Sequence, residues 1–128
     1  MAKKILVIDD DSEFIGAVSN LLESKGYAVI SACDGEEGFK KAKSMSPDLI
    51  FLDVMMADKS EGFDVARSIK ADALTKGIPV VLITGIRKAM NLPFGFEADE
   101  DWLPVKTVLE KPVKPDTLLK TVEEYIGK

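Results

Sequence analysis

The sequence predicts an α/β protein built on a doubly wound, five-stranded parallel sheet. Short apolar runs alternate with segments of helical periodicity along the chain, which is the signature of βαβ units rather than of a bundle or a sandwich. Three of those runs, KILVID, LIFLD and IPVVLIT, are nearly continuous in hydrophobic residues. Interior strands of a sheet covered by helices on both faces have that composition. The length of 128 residues suits a single domain, spanning residues 1–128, around one core.

The elements follow in order. Strands are predicted at residues 4–9, 27–32, 49–53, 78–84 and 105–110. After the first strand, Phe14, Ile15, Val18, Leu21 and Leu22 recur at helical spacing, and Gly26 stands where that helix would stop. Further helices are predicted at residues 36–44, 62–71 and 115–126, the last with Leu118, Leu119, Val122 and Ile126 on one face. Residues 86–104 do not fit a regular fourth helix, because Pro93, Gly95 and Pro104 interrupt it, and an irregular region is expected there. Repeats, linkers and low-complexity tracts are absent.

Composition excludes several functions. A hydrophobic share of 46% and a charged share of 30% belong to a folded chain. The net charge of -5, with no basic stripe, argues against direct nucleic-acid binding. Cys33 is the only cysteine, so no internal disulfide forms, and it is expected to be a small core residue. The absence of histidine removes Ser-His and Cys-His catalysis and His-based zinc sites. Lys3 and Lys4 precede an apolar run too short for a signal peptide, and no segment approaches membrane-spanning length. A cytoplasmic protein with no membrane contact is expected.

In an open parallel sheet, ligands bind beyond the carboxyl ends of the strands. The first strand ends in Asp9-Asp10-Asp11, the third in Asp53, the fourth in Thr84, and the fifth runs into Lys111-Pro112. Carboxylates, a hydroxyl and a lysine therefore share one rim. Crowded carboxylates repel by a few kcal/mol at an effective dielectric of about 20, and a hard cation removes that cost. Mg²⁺ prefers oxygen ligands and is commonly held by one or two carboxylates beside a phosphate. Asp11 is better read as a helix cap, and Asp10 with Glu13 also fits capping-box spacing. For Asp9 and Asp10 the convergence with Asp53 favours metal binding.

Asp9-Asp10, Asp53 closing LIFLD, Thr84 in LITG and Lys111-Pro112 in EKP together resemble the receiver domain of two-component response regulators, over essentially the whole chain. The resemblance implies a flavodoxin-like fold with strand order 2-1-3-4-5, an order the family itself exemplifies. It further implies that Asp53 is the phosphoacceptor, taking its phosphoryl group from a sensor histidine kinase or a phosphotransfer protein. Asp10 and Asp53 would ligate Mg²⁺ directly, Asp9 mainly through water, and Met55 through its carbonyl. Thr84 would hydrogen-bond the phosphoryl group and Lys111 would pair with it. Such a domain catalyses only its own phosphorylation and dephosphorylation, and it signals to a downstream protein by conformational change.

Three departures stand out. Ala57 follows Met56 where the family has proline, with Gly62 one residue later than usual. Val108 replaces the switch aromatic three residues before the lysine. The stretch from Thr84 to Lys111 is long, and output is expected to leave through residues 86–104, which carry Trp102. Apolar Met55 and Ile86, flanking the hydrolytic water's path in the family, imply a long-lived acyl-phosphate. A haloacid-dehalogenase-type phosphatase would need Thr or Val where Glu13 stands, and DDDSEF would repel a flavin phosphate. The remaining alternative is a phosphorylation-independent interaction module of the same fold. With the chain ending at Lys128, a stand-alone receiver or one cut from a longer protein is expected.

Overall fold

The apolar runs and the caps between them set the element boundaries. The computed structural model describes residues 3–53, 61–84, 107–110 and 113–126, and the side chains among these except at residues 61–64, 84, 107, 108 and 110. Its strands are β1 (Lys4–Ile8), β2 (Ala28–Ala32), β3 (Leu49–Asp53), β4 (Val80–Thr84) and β5 (Thr107–Glu110). The described helices are α1 (Ser12–Ser24), α2 (Gly35–Met45), α3 (Glu61–Ala71) and α4 (Pro115–Ile126). Expectations resting on Met55, Ala57, residues 86–104, Lys111 and Pro112 lie outside the described residues, and that on Val108 concerns a side chain outside them.

All strand pairs are parallel, in the order β2-β1-β3-β4-β5. Side chains alternate across each strand, so one sheet faces two cores. Leu6, Ile8, Ile50, Leu52 and Leu82 pack against Ala42 of α2 and Val65, Ala66 and Ile69 of α3. Ile5, Val7, Phe51, Val81 and Ile83 pack against Val18 and Leu22 of α1 and Leu118 and Val122 of α4. Burial on both faces explains the unbroken hydrophobic runs of β1 and β3. β2, at the sheet edge, is only half buried along most of its length.

Local chemistry starts and stops the helices. Asp11 is the N-cap of α1, its carboxylate accepting the backbone N–H groups of Glu13 and Phe14; the capping role thus falls to Asp11 and not to Asp10. At the other end Gly26 adopts φ +93, a conformation that costs glycine little, and the Tyr27 N–H donates back to the Leu22 carbonyl. Tyr27 thus still belongs to the turn that ends α1, and β2 begins at Ala28, one residue later than the sequence predicts. Similarly, the Ile78 N–H donates to the Thr75 carbonyl in a turn, and β4 begins only at Val80.

Asp34 caps α2 by accepting the Glu37 N–H at 2.8 Å. The C-terminal end of α2 is tied to the start of β1. The Lys4 ammonium donates to the Met45 carbonyl, where a cation also complements the helix dipole, and the Lys4 backbone N–H donates to Asp48 Oδ2 at 2.8 Å.

Cys33 is exposed, which corrects the expectation of a core residue. It follows Ala32, the last ladder residue of β2, and precedes the Asp34 cap. Position past the strand end, not side-chain polarity, decides its exposure. Among the described residues no helix is long and apolar enough to cross a membrane.

Candidate functional site

The sheet register builds the site. Ile8 of β1 lies opposite Leu52 of β3, and the next residue on each chain is an aspartate. Parallel pairing therefore delivers Asp9 and Asp53 side by side at the carboxyl rim, and both are only 1% exposed. Asp10, at the start of the turn into α1, is exposed. One carboxylate oxygen from each of Asp9, Asp10 and Asp53 lies within 4.8 Å of the others.

Two further contacts orient Asp9. Its backbone N–H donates to the Ala32 carbonyl at 3.0 Å, extending the β1–β2 ladder past the strand end. Its carboxylate Oδ1 accepts the Asp11 N–H at 2.8 Å, and Asp11 in turn caps α1. The Asp9 carboxylate is thus held by a backbone N–H of the turn into α1.

The donor set suits a hard divalent cation. All three atoms are carboxylate oxygens, the ligand type Mg²⁺ selects. Two oxygens each about 2.1 Å from one Mg²⁺ ion are at most about 4.2 Å apart, so oxygens within 4.8 Å of one another need to draw in only slightly to share one ion. Without a cation, charges at such separations repel by a few kcal/mol at an effective dielectric of about 20. The geometry and the charge therefore agree on what the cluster accommodates.

The other expected site residues are placed less fully. Thr84 closes β4, its backbone paired with Glu110 of β5, so it ends on the same rim; its side chain is outside the described set. Lys111 follows Glu110 in sequence, but like Met55 it lies outside the described residues. The sequence reading missed Gly38. A Cβ there would lie 2.5 Å from Ile8 Cδ1 and 2.7 Å from Ile8 Cγ1, and Ile8 immediately precedes Asp9. The signal was a glycine inside a helical segment, which calls for a packing reason.

A doubly wound parallel sheet with a carboxylate cluster at its switch point defines an α/β domain of the flavodoxin-like class. The response regulator receiver domain family matches residues 5–123, and the chain belongs to that family. It is 36% identical to the alkaline phosphatase synthesis transcriptional regulatory protein PhoP of Bacillus subtilis, over 90% of this chain and 45% of that protein. It is 31% identical to protein PilH of Pseudomonas aeruginosa, over 97% of this chain and 98% of that protein. The chain thus spans about half the length of the first relative and nearly all of the second.

Solved structures agree on the fold. The chemotaxis response regulator CheY4 of Vibrio cholerae superposes with a TM-score of 0.82 at 28% identity, covering 98% of this chain and 100% of that one. The receiver domain of sensor histidine kinase PA1611 from Pseudomonas aeruginosa, solved with magnesium in its active site cleft, gives a TM-score of 0.81 at 21% identity, with full coverage of both chains. As a family member, this chain is a phosphoacceptor signalling domain of two-component systems. Magnesium binding is a general feature of that family, and Asp9, Asp10 and Asp53 offer the oxygens for it.

Proposed function

We propose that Asp53 is the phosphoacceptor and that residues 1–128 act as one receiver unit. The observation that carries this reading is the buried Asp53 carboxylate at the end of β3 with Asp9 and Asp10 within 4.8 Å. An Asp53 oxygen attacks the phosphorus of a phosphohistidine on a partner kinase or phosphotransfer protein. The new P–O bond gives an acyl-phosphate as the P–N bond breaks and the histidine leaves. Asp10 and Asp53 would hold Mg²⁺ directly and Asp9 mainly through water, with the Met55 carbonyl as the remaining protein ligand. The bound ion supplies positive charge against the incoming phosphoryl oxygens. The magnesium in the cleft of the PA1611 receiver supports this assignment.

Thr84 donates its hydroxyl to the phosphoryl group and Lys111 pairs with it. The chain turns over no separate substrate, and catalyses only its own phosphorylation and dephosphorylation. Signalling goes to a downstream protein in the cytoplasm, with no direct nucleic-acid contact by these residues, whose net charge is -5. Incubation with a small phosphodonor and Mg²⁺ should add one phosphoryl group, read as a mass shift. Asp53→Asn should abolish the shift with the fold intact; an undiminished shift would remove Asp53 from this role. Val108, standing where the family has its switch aromatic, favours a second reading, a phosphorylation-independent interaction module. For that module no mass shift should appear in the unmodified chain.

A further inference from the structure

β2 is the edge of the sheet, and an edge strand presents backbone donors and acceptors to any other strand. Its outward groups follow from its inward ones. The Ala28 N–H donates to the Lys3 carbonyl and the Ala32 carbonyl accepts from Asp9, so even-numbered residues bond inward. Residues 29, 31 and 33 therefore direct their N–H and C=O groups away from the sheet.

Two of these outward groups are taken by side chains of α2. The Lys41 ammonium donates to the Ser31 carbonyl at 2.6 Å, and the Cys33 N–H donates to Glu37 Oε1 at 2.8 Å. Glu37 Oε2 and Lys41 Nζ are 3.3 Å apart, one helical turn from each other. A copy of β2 added across a two-fold axis runs antiparallel, and in such a ladder each outward-facing residue is bonded through both its N–H and its C=O. That strand would need the Ser31 carbonyl and the Cys33 N–H. The Glu37–Lys41 pair supplies a donor and an acceptor in those two places.

We propose that Glu37 and Lys41 are a built-in stop on the β2 edge, filling the slot of a sixth strand so that β2 of a second copy of the chain cannot add there. Helix capping does not account for Glu37. In a capping box the carboxylate at that position returns to the N-cap N–H, here Asp34, whereas Glu37 reaches one residue further, to Cys33. The Cys33 bond, seconded by Lys41 and opposed by desolvation, holds the Glu37 carboxyl below its ordinary pKa. The pair is therefore charged near neutrality. A second copy is the occupant excluded, because identical β2 edges carry the same alternating groups and self-complement across a two-fold axis.

The test compares the parent chain with Glu37→Ala/Lys41→Ala. Alanine favours helix, so α2 should persist, as judged by circular dichroism. Sedimentation should then find the variant self-associating at concentrations where the parent does not. At dilution, the Cys33 amide should exchange roughly tenfold faster for want of its charged acceptor. Adding Ser31→Pro removes an outward N–H and costs no inward ladder bond, so it should return the variant to the parent's association state. If the double variant unfolds, Lys41→Met, which keeps the aliphatic stem and frees the Ser31 carbonyl, takes its place with the same expected association and the same rescue by Ser31→Pro. A folded variant that associates no more than the parent overturns the proposal. Association that survives Ser31→Pro overturns it as well, since another surface is then responsible.

Discussion

The two faces of the sheet are packed on opposite principles. On the α1/α4 face, Phe51 is fully buried among Val18, Leu22, Leu118 and Val122, with Phe14, Tyr27 and Tyr125 around them. On the α2/α3 face the helices present small residues, Gly38, Ala42 and Ala66, and draw close to Ile8 and Leu52. Bulk fills the first interface and its absence permits the second. The first should therefore be sensitive to loss of volume and the second to its gain, because interiors are packed to near-crystalline density.

The largest effect is expected where volume is removed from the bulky face. Phe51→Ala should cost about 3–5 kcal/mol, measured by urea unfolding, and a loss below about 1 kcal/mol would mean that face can collapse around the gap. Gly38→Ala adds one methyl group to the other face, where it would meet Ile8 Cδ1 at 2.5 Å. Overpacking of this kind costs about 1–3 kcal/mol, less about 1 kcal/mol from better helix propensity. A net loss near 1 kcal/mol is expected. Because Ile8 leads directly into Asp9, Mg²⁺ binding should also weaken, and Ile8→Val, which removes the nearest carbon, should restore part of both. Unchanged Mg²⁺ affinity in the alanine variant would confine Gly38 to a packing role.

The same substitution on the opposite face should have the opposite sign. Gly16 lies on α1 with nothing within 4 Å of an added Cβ, so Gly16→Ala should stabilise by about 0.5–1 kcal/mol, read as a raised Tm. A destabilised variant would show that α1 is less open than its packing indicates. The smallest effect belongs to the half-buried Glu37. Its carboxyl sits below its ordinary pKa of 4.5 in the folded chain, first through the Cys33 N–H and then through Lys41. Its contribution is therefore present above about pH 4.5 and disappears as pH falls through the lower folded value. Glu37→Gln should lower stability slightly near neutrality, flatten the acid limb of a stability-versus-pH curve, and leave stability unchanged below the folded pKa.

Much of this was legible in the residues. LIFLD is an unbroken apolar run closing on Asp53, the helix from Pro115 to Ile126 carries a periodic apolar face, and the boundaries of both agree with the structure. Other boundaries moved by one or two residues because backbone bonds intervened. Tyr27 and Ile78 look like strand residues, yet each gives its N–H to a preceding turn. Cys33 was misplaced because a small apolar side chain suggests burial, whereas its place just past the end of β2 leaves it exposed.

By itself the sequence determined the βα alternation, the apolar strands and the carboxylates at their ends. These depend on local periodicity and on charge, which a linear chain carries in full. Only the tertiary structure decided that β2 is an edge, that Asp9 and Asp53 share one register, that Gly38 abuts Ile8, and that Glu37 and Lys41 reach the β2 backbone. Each of these is a meeting of segments distant in sequence or of a side chain with a backbone group. Such contacts depend on strand order and helix placement, which no residue's own preference specifies.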